Sequence, residues 1–215
     1  MAVIFPRWAN KVPLMIGVAL PLVATTVVFA IWYWFSPKFT DAGYAPAQPV
    51  PFSHKLHAGD IGLDCRYCHT TVEKAGFAAI PPASTCMNCH SQVRTTSPLL
   101  EPVRAAYRGD KSLEWVKVHM LPEYAYFEHS VHVAAGVGCA SCHGRIDKMT
   151  VVSQEHPLSM SWCLDCHRNP GPNIRPSDVE VTQMDWVAPP GHSLTISRAT
   201  GRELNPPTHC SGCHR

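Results

Sequence analysis

The sequence predicts a mostly irregular chain of short α-helices behind one N-terminal transmembrane helix. Three observations predict this fold class: an uncharged apolar run near the N-terminus, a cysteine motif that occurs five times, and an abundance of proline and glycine. The 215 residues include 20 prolines and 13 glycines, with turn-like pairs such as Pro189-Pro190, so neither long soluble helices nor a broad sheet are expected. The net charge of +2 gives the chain no electrostatic reason to bind nucleic acid.

The apolar run predicts a membrane anchor. It extends from Val12 to Phe35 without a charged residue, which is long enough to cross a bilayer with some tilt. Arg7 and Lys11 precede it, and basic residues at that end favour a cytoplasmic N-terminus. A cleaved signal peptide is the alternative, but its apolar core would be shorter, at about 7–15 residues. We therefore expect residues 1–35 to form a retained single-pass anchor with its N-terminus inside.

The five-residue motif Cys-x-x-Cys-His contains every cysteine of the chain. Structural zinc sites also use Cys-x-x-Cys, but each ion takes two pairs, or one pair with two histidines, and five pairs divide badly among such sites. A thioredoxin-like dithiol would occur once, in a βαβ unit. Attachment of c-type haem explains the whole motif, because two thiols bond to the two vinyl groups and the next residue ligates the iron. The motifs are CRYCH (65–69), CMNCH (86–90), CASCH (139–143), CLDCH (163–167) and CSGCH (210–214).

The sequence therefore predicts a multihaem cytochrome c with five covalently attached c-type haems. Because c-type haem is attached after export, the haem-bearing part is expected on the periplasmic side of the cytoplasmic membrane. Roughly 180 residues outside the membrane leave about 36 for each haem, so neighbouring macrocycles must lie close together. Thioether bonds are predicted for Cys65, Cys68, Cys86, Cys89, Cys139, Cys142, Cys163, Cys166, Cys210 and Cys213, and proximal iron ligation for His69, His90, His143, His167 and His214.

An internal repeat orders the soluble part of the chain. The segment FSHKLH (52–57) is echoed by FEHSVH (127–132), and each copy precedes two haem motifs at nearly the same spacing. The fifth motif stands alone near the C-terminus. We expect repeats similar to those of cytochromes c7 and c3 at 52–90 and 127–167, within a haem domain that spans 52–215.

Three further segments complete the predicted organisation. Residues 36–51 are rich in proline and are expected to form an extended linker. The insert between the repeats contains the best candidate for a soluble helix, Pro98–Tyr107, whose apolar residues follow a helical period. From Pro170 to Pro207 we expect a long irregular segment that wraps over haems.

Second axial ligands complete six-coordinate haem irons, and the two F-x-H-x-x-H elements are the best source of them. Residues three apart lie on one face of a helix, yet they diverge enough to serve two haems packed on either side. We therefore predict that His54 and His57 are the distal ligands of the first repeat, and that His129 and His132 are those of the second. The alternative is that one histidine of each pair crosses to a haem of the other repeat.

The fifth distal ligand is the hardest to assign. We predict His119, which lies in the insert and has Tyr44 as its counterpart when the two copies of the repeat are aligned. It is thus an addition to the repeat, as the fifth haem is. The alternatives are His192, Met149 and Met160, and a methionine ligand would raise the potential of its haem. The two remaining histidines, His156 and His209, are expected to be structural or solvent-exposed.

Electron transfer is the function that this pattern favours. Catalytic multihaem proteins generally leave one iron open to substrate or replace a motif histidine with lysine, and this sequence contains no Cys-x-x-Cys-Lys. It also has no recognisable hydrolytic or nucleotide-binding motif. We therefore expect a relay between closely spaced six-coordinate irons, with potentials set by ligands and surroundings, and not an enzyme in its own right.

Four segments resemble the pentahaem cytochrome c subunit of bacterial alternative complex III, a quinol:electron acceptor oxidoreductase. The resemblance implies that quinol is oxidised in an integral-membrane subunit, and that electrons pass through an iron–sulfur protein subunit and these haems. The acceptor would be a monohaem cytochrome c, a blue-copper protein or an oxidase. The segments are PVPFSHKLHAGDIGLDCRYCHTTVEKAG (49–76), STCMNCH (84–90), VHMLPEYAYFEHSVHVAAGVGCASCHG (118–144) and MTVVSQEHPLSMSWCLDCHRNP (149–170).

Two other functions remain open from the sequence. A small membrane-tethered multihaem quinol dehydrogenase would oxidise quinol directly, although its first haem motif would lie nearer to the membrane helix than the first motif does here. A zinc-bearing scaffold protein is the redox-inactive alternative, and it would carry no covalent haem.

Overall fold

The computed structural model describes residues 6–214 and is helical, with no strand in that range. This agrees with the short helices and irregular segments that the sequence predicts. The α-helices within it are α1 (Val12–Trp34), α2 (Pro37–Thr40), α3 (Cys65–Cys68), α4 (Ala83–His90), α5 (Glu101–Arg108), α6 (His129–Ala135), α7 (Ala140–His143) and α8 (Met160–Arg168). Short 3₁₀-helices lie at Arg7–Lys11, Pro98–Leu100, Ile146–Lys148, Gly171–Asn173 and Cys210–Gly212, and a π-helix at Lys55–Asp60.

Helix α1 matches the predicted anchor in extent and character. Together with the preceding 3₁₀ turn it extends from Arg7 to Trp34, and none of the residues in its most apolar stretch is buried against the rest of the chain. Its long apolar side chains face outward, among them Leu20 and Trp32, each 70% exposed. By length and composition, α1 fits a single-pass membrane anchor.

The polypeptide core of the remainder is small. Val50, Val103, Ile174, Val181 and Met184 are its buried apolar side chains in the described range. Val103 lies on α5, which begins after the Pro98–Leu100 turn and packs against α4. The helix predicted at Pro98–Tyr107 is therefore confirmed, and Gly109 ends it in the left-handed conformation, with φ 85°.

The two F-x-H-x-x-H copies fold differently, although their sequences match. The second copy begins α6 at His129, whereas the first leads into the π-helix, in which Ile61 N–H donates to the carbonyl of Leu56 five residues back. The π-helix packs against the Ile146–Lys148 turn. A Cβ atom at Gly59 would collide with the carbonyl of Asp147, so this contact requires glycine where the second copy has Ala134.

The segment after Pro170 is irregular, as expected, and the buried Arg175 fixes part of it in place. Arg175 is 2% exposed, and its guanidinium donates to the carbonyls of Glu180 (2.7 Å) and Gln183 and lies over Trp186. The Cys139 N–H donates to the carbonyl of Val181 (3.0 Å). The segment therefore packs directly on the third Cys-x-x-Cys-His motif.

The Pro-rich residues 36–51 are docked along the soluble part. Gly43 and Tyr44 form two backbone hydrogen bonds with Gln154, at 2.7 and 3.0 Å. The side-chain amide of Gln48 both donates to and accepts from the backbone of Val116, at 2.9 Å each way. The expectation of an extended linker holds only in part, because α2 and the turn at 41–43 occupy its first half. The polar groups of the segment hold it against the rest of the chain.

Candidate metal centres

Each Cys-x-x-Cys-His motif lies on a short helical turn. The turn brings the two thiols, three residues apart, to one face, and a hydrogen bond from the histidine N–H to the first cysteine carbonyl fixes the next residue. That bond measures 2.8 Å at His69, 3.0 Å at His143 and 2.9 Å at His214. None of the ten cysteines forms a disulfide, so every one is available to bond to another group.

Four of the motif histidines face a second histidine across a gap. In every pair the partner comes from the F-x-H-x-x-H element of the same repeat. The ring centroids lie 6.4 Å apart for His54 and His69, 6.2 Å for His57 and His90, 6.4 Å for His129 and His143, and 6.1 Å for His132 and His167.

This spacing fits a metal ion held between two imidazoles. A histidine nitrogen lies about 2.0 Å from a bound metal ion and about 1.2 Å from its own ring centroid, so two rings on one ion have centroids about 6.4 Å apart. Direct stacking would bring the rings closer, as for Phe52 on His57 at 4.4 Å. One histidine of each pair belongs to a Cys-x-x-Cys-His motif, so thiols and imidazoles together fit a covalently attached haem with two histidine ligands.

Hydrogen bonds at Nδ1 leave the other ring nitrogen of these histidines free to ligate. An Nδ1–H that donates to a carbonyl fixes the tautomer with its lone pair on Nε2, which is the usual arrangement behind a metal-bound histidine. The backbone acceptors are Ser53 for His57 (2.9 Å), Ala79 for His69 (2.7 Å), Val93 for His90 (3.1 Å), Gly76 for His129 (2.6 Å), Glu128 for His132 (2.8 Å), Pro207 for His167 (2.7 Å) and Tyr124 for His214 (3.0 Å).

Burial keeps several of these imidazoles neutral, which is the form that binds iron. Burial first, and then neighbouring histidines, lower the pKa of His143 to about 3 and that of His54 to about 4. Burial also lowers the pKa of His132 and of His119. His54 differs from its neighbours because its Nδ1 is buried without a hydrogen-bond partner in the described range.

The fifth motif has different surroundings. The ring packed against His214 is that of Tyr124, with centroids 5.7 Å apart. His119, predicted as the distal ligand of this site, instead places its Nε2 3.3 Å from Nδ1 of His143. Its assignment to the fifth iron remains a prediction that this contact does not favour.

The predicted alternatives to His119 are engaged in other ways. His192 donates from Nε2 to the carbonyl of Ile174 at 2.7 Å, which occupies the nitrogen that would bind iron. The sulfur of Met149 accepts a hydrogen bond from Ser153 at 3.9 Å, and Met160 is 67% exposed. His156 stacks on Trp162 and His209 contacts Ser211, in line with their predicted structural role.

The five motifs are neighbours in an order that differs from their order in the sequence. The second motif adjoins the first through the Asn88 amide, which donates to the hydroxyl of Tyr67 at 3.0 Å. The first adjoins the third through the interacting thiols of Cys65 and Cys139. The other neighbouring thiols are Cys142 beside Cys163 and Cys166, and Cys163 beside Cys213. These contacts link the motifs in the sequence second, first, third, fourth, fifth.

Comparison with known proteins points to the same chemistry. No family model matches the chain. The chain is 33% identical over 129 residues to the menaquinone reductase, multiheme cytochrome c subunit, of Nitratidesulfovibrio vulgaris (strain Hildenborough). The match covers 59% of this chain and 60% of that protein. The chain thus spans less than two thirds of its curated relative.

This similarity supports a multihaem cytochrome c with covalently bound c-type haems. It is consistent with an electron-transfer subunit rather than a catalytic enzyme. The relative's name describes a menaquinone reductase, so the comparison lends no support to alternative complex III, and neither the haem count nor the partners follow from it.

Proposed function

We propose that this protein is a membrane-anchored pentahaem cytochrome c that relays electrons, haem to haem, within a quinol-linked membrane complex. The observation that carries the proposal is the set of four histidine pairs at 6.1–6.4 Å, each beside a Cys-x-x-Cys-His motif. Haem supplies the one-electron chemistry. The chain attaches, orients and shields the five groups.

The proposed ligands follow the pairing of the rings. Thioether bonds involve all ten cysteines, and the motif histidines bind the irons from the proximal side. His54, His57, His129 and His132 bind the first four irons from the distal side, so each repeat is a two-haem unit similar to those of cytochromes c7 and c3. The fifth iron, on His214, takes a distal ligand outside these four pairs.

The spatial order of the motifs supports a linear relay. The first and third haems would meet at the centre, where the two repeats join, and the second and fifth would lie at the two ends. The Nδ1 bond from His129 to Gly76 (2.6 Å) and the bond from His167 to Pro207 (2.7 Å) tie successive sites together. Coordination of each iron by two histidines would change little between the ferric and ferrous states, which suits rapid electron transfer.

The proposed setting is the periplasmic face of the cytoplasmic membrane, with the N-terminus inside. The proposed partners are an integral-membrane quinol-oxidising subunit, an iron–sulfur protein subunit and a monohaem cytochrome c or blue-copper acceptor. Alternative complex III and a menaquinone reductase are the two complexes to distinguish, and the direction of electron flow would separate them.

Denaturing electrophoresis followed by a peroxidase-based haem stain tests the proposal directly, because only covalently attached haem stays with the chain. The intact mass should exceed that of the polypeptide by five haems. A matched variant, Cys210→Ser with Cys213→Ser, should lose one haem and keep four. A colourless band would refute the proposal, and prompt reduction of the isolated protein by a reduced quinol analogue would favour a direct quinol dehydrogenase.

A further inference from the structure

His119 belongs to no Cys-x-x-Cys-His motif and to neither F-x-H-x-x-H element, yet it lies among the ligands at the centre of the protein. Its ring meets that of His143 edge to face, with centroids 4.4 Å apart and planes at 79°. Its Nε2 is 3.3 Å from Nδ1 of His143. The contact joins the insert between the repeats to the third motif.

The position of His119 relative to the proposed iron site is specific. The His143 ring faces His129 across a 6.4 Å gap with the planes nearly parallel, at 8°. Its Nδ1 is turned toward His119, so Nε2 is the nitrogen available to the iron. His119 therefore stands behind the proximal ligand and outside the gap between the two axial imidazoles.

His143 differs in this respect from the other motif histidines. Each of the other four directs its Nδ1 to a backbone carbonyl, as His69 does to Ala79 at 2.7 Å. At His143 the Nδ1 partner in the described range is a side chain. A side-chain acceptor can be changed by substitution without moving the backbone, so its effect on the site can be measured.

We propose that His119 is a positioning residue that accepts the Nδ1–H of His143 and so sets the orientation and basicity of the proximal ligand of the third haem. This inference rests on the proposed function, since it concerns a haem held by Cys139, Cys142 and His143. It assigns His119 to that ligand's outer side and not to the fifth iron.

The expected consequence is a lower potential at the third haem. An acceptor behind a metal-bound histidine increases the electron donation of its ring to the metal, and stronger donation favours the ferric over the ferrous state. The third haem lies where the two repeats join. His119 would therefore adjust the step at which electrons cross from one repeat to the other.

The test compares His119→Ala with His119→Gln in the full-length, haem-loaded protein. We expect His119→Ala to keep all five haems and a fully low-spin spectrum. One midpoint potential should rise, by up to about tenfold in the reduction equilibrium constant, which is about 59 mV for one electron. The ferric electron paramagnetic resonance signal of one low-spin haem should also move, because its imidazole can turn.

His119→Gln supplies a side-chain carbonyl in place of the imidazole and should restore part of the potential. His156→Ala is the matched control, since His156 stacks on Trp162, and it should leave every potential unchanged. A new high-spin haem in His119→Ala would show that His119 is itself an iron ligand and overturn the proposal. Unchanged potentials and an unchanged resonance signal in both His119 variants would also overturn it, by reducing the role of His119 to packing. Absence of covalent haem in the unsubstituted protein would instead refute the proposed function.

Discussion

Replacing His54 by alanine should convert one haem from low spin to high spin. His54 faces His69 across 6.4 Å with the two rings parallel to within 1°, so alanine would remove one axial nitrogen from one iron. Its Nδ1 has no hydrogen-bond partner in the described range. The substitution therefore removes the proposed ligand without breaking another polar contact, which would not hold for His129.

The size of the effect follows from the number of motifs. One iron of five should lose its sixth ligand, so the ferric low-spin signal should fall by about one fifth and an equivalent high-spin signal should arise. Electron paramagnetic resonance of the oxidised protein, with spins integrated against a haem assay, measures both. Added imidazole should enter the space left by the side chain and restore the low-spin signal.

Two results would refute this reasoning. If His54→Ala stays fully low spin without added imidazole, then His54 is a packing residue and its alignment with His69 is coincidental. If His156→Ala produces the same high-spin signal, the effect is a general disturbance of folding and not the loss of one ligand.

Four further predictions concern potential, stability, its pH dependence and membrane attachment. His132→Met should keep its haem low spin but raise one midpoint potential in a redox titration, because a methionine ligand favours the ferrous state. An unchanged titration would show that His132 is not an iron ligand. Arg175→Ala should lower the free energy of unfolding by on the order of 3 kcal/mol in chemical denaturation, because two backbone carbonyls lose the donor that the buried guanidinium supplies. Arg175→Lys should not restore it, since lysine lacks the planar fork. The Arg66 guanidinium holds the pKa of Asp64 at about 2, below the ordinary 3.8. Asp64 should therefore stabilise the fold above about pH 3.8 and lose that effect as the pH falls through 2. In chemical denaturation, Asp64→Asn should lower the free energy of unfolding by under about 1 kcal/mol at pH 6, since the pair is partly exposed, and this difference should vanish near pH 2. Finally, a variant in which a cleavable leader replaces residues 1–35 should fractionate with the soluble proteins and retain its haem stain, whereas the full chain should stay with the membranes.

Local patterns in the sequence predicted those parts of the fold that depend on local interactions. The uncharged run from Val12 indicated α1 almost to the residue, because length and apolarity alone determine such a helix. The helical period of the insert indicated α5, whose Val103 is buried as the pattern requires. The π-helix at Lys55–Asp60 was not predicted, since it depends on a close backbone contact that only the tertiary structure reveals. In the sequence, Gly59 is the residue that permits this contact.

For the candidate site, too, the sequence predicted the features that depend on local spacing and missed those that depend on tertiary contacts. The repeats predicted that His54 and His57 would serve the first two motifs, and His129 and His132 the next two, because each pair lies on one turn. They did not predict which histidine of a pair faces which motif. The Nδ1 acceptors escaped prediction, since a remote carbonyl such as that of Gly76 or Pro207 has no side-chain signature. The location of His119 escaped for a related reason. Alignment of the two repeats marked it as an addition, but no local rule indicates which motif an insert will fold against.

The docked segment of residues 36–51 has a mechanical consequence. A free tether of this length would let the haem domain swing and turn above the bilayer, so electrons would leave the membrane by chance encounter. With Gly43 and Tyr44 fixed to Gln154, and Gln48 fixed to Val116, little slack remains between the end of α1 and the domain. A neighbouring membrane protein would then meet the same side of the domain at every turnover, at the high local concentration that a short, stiff connection imposes.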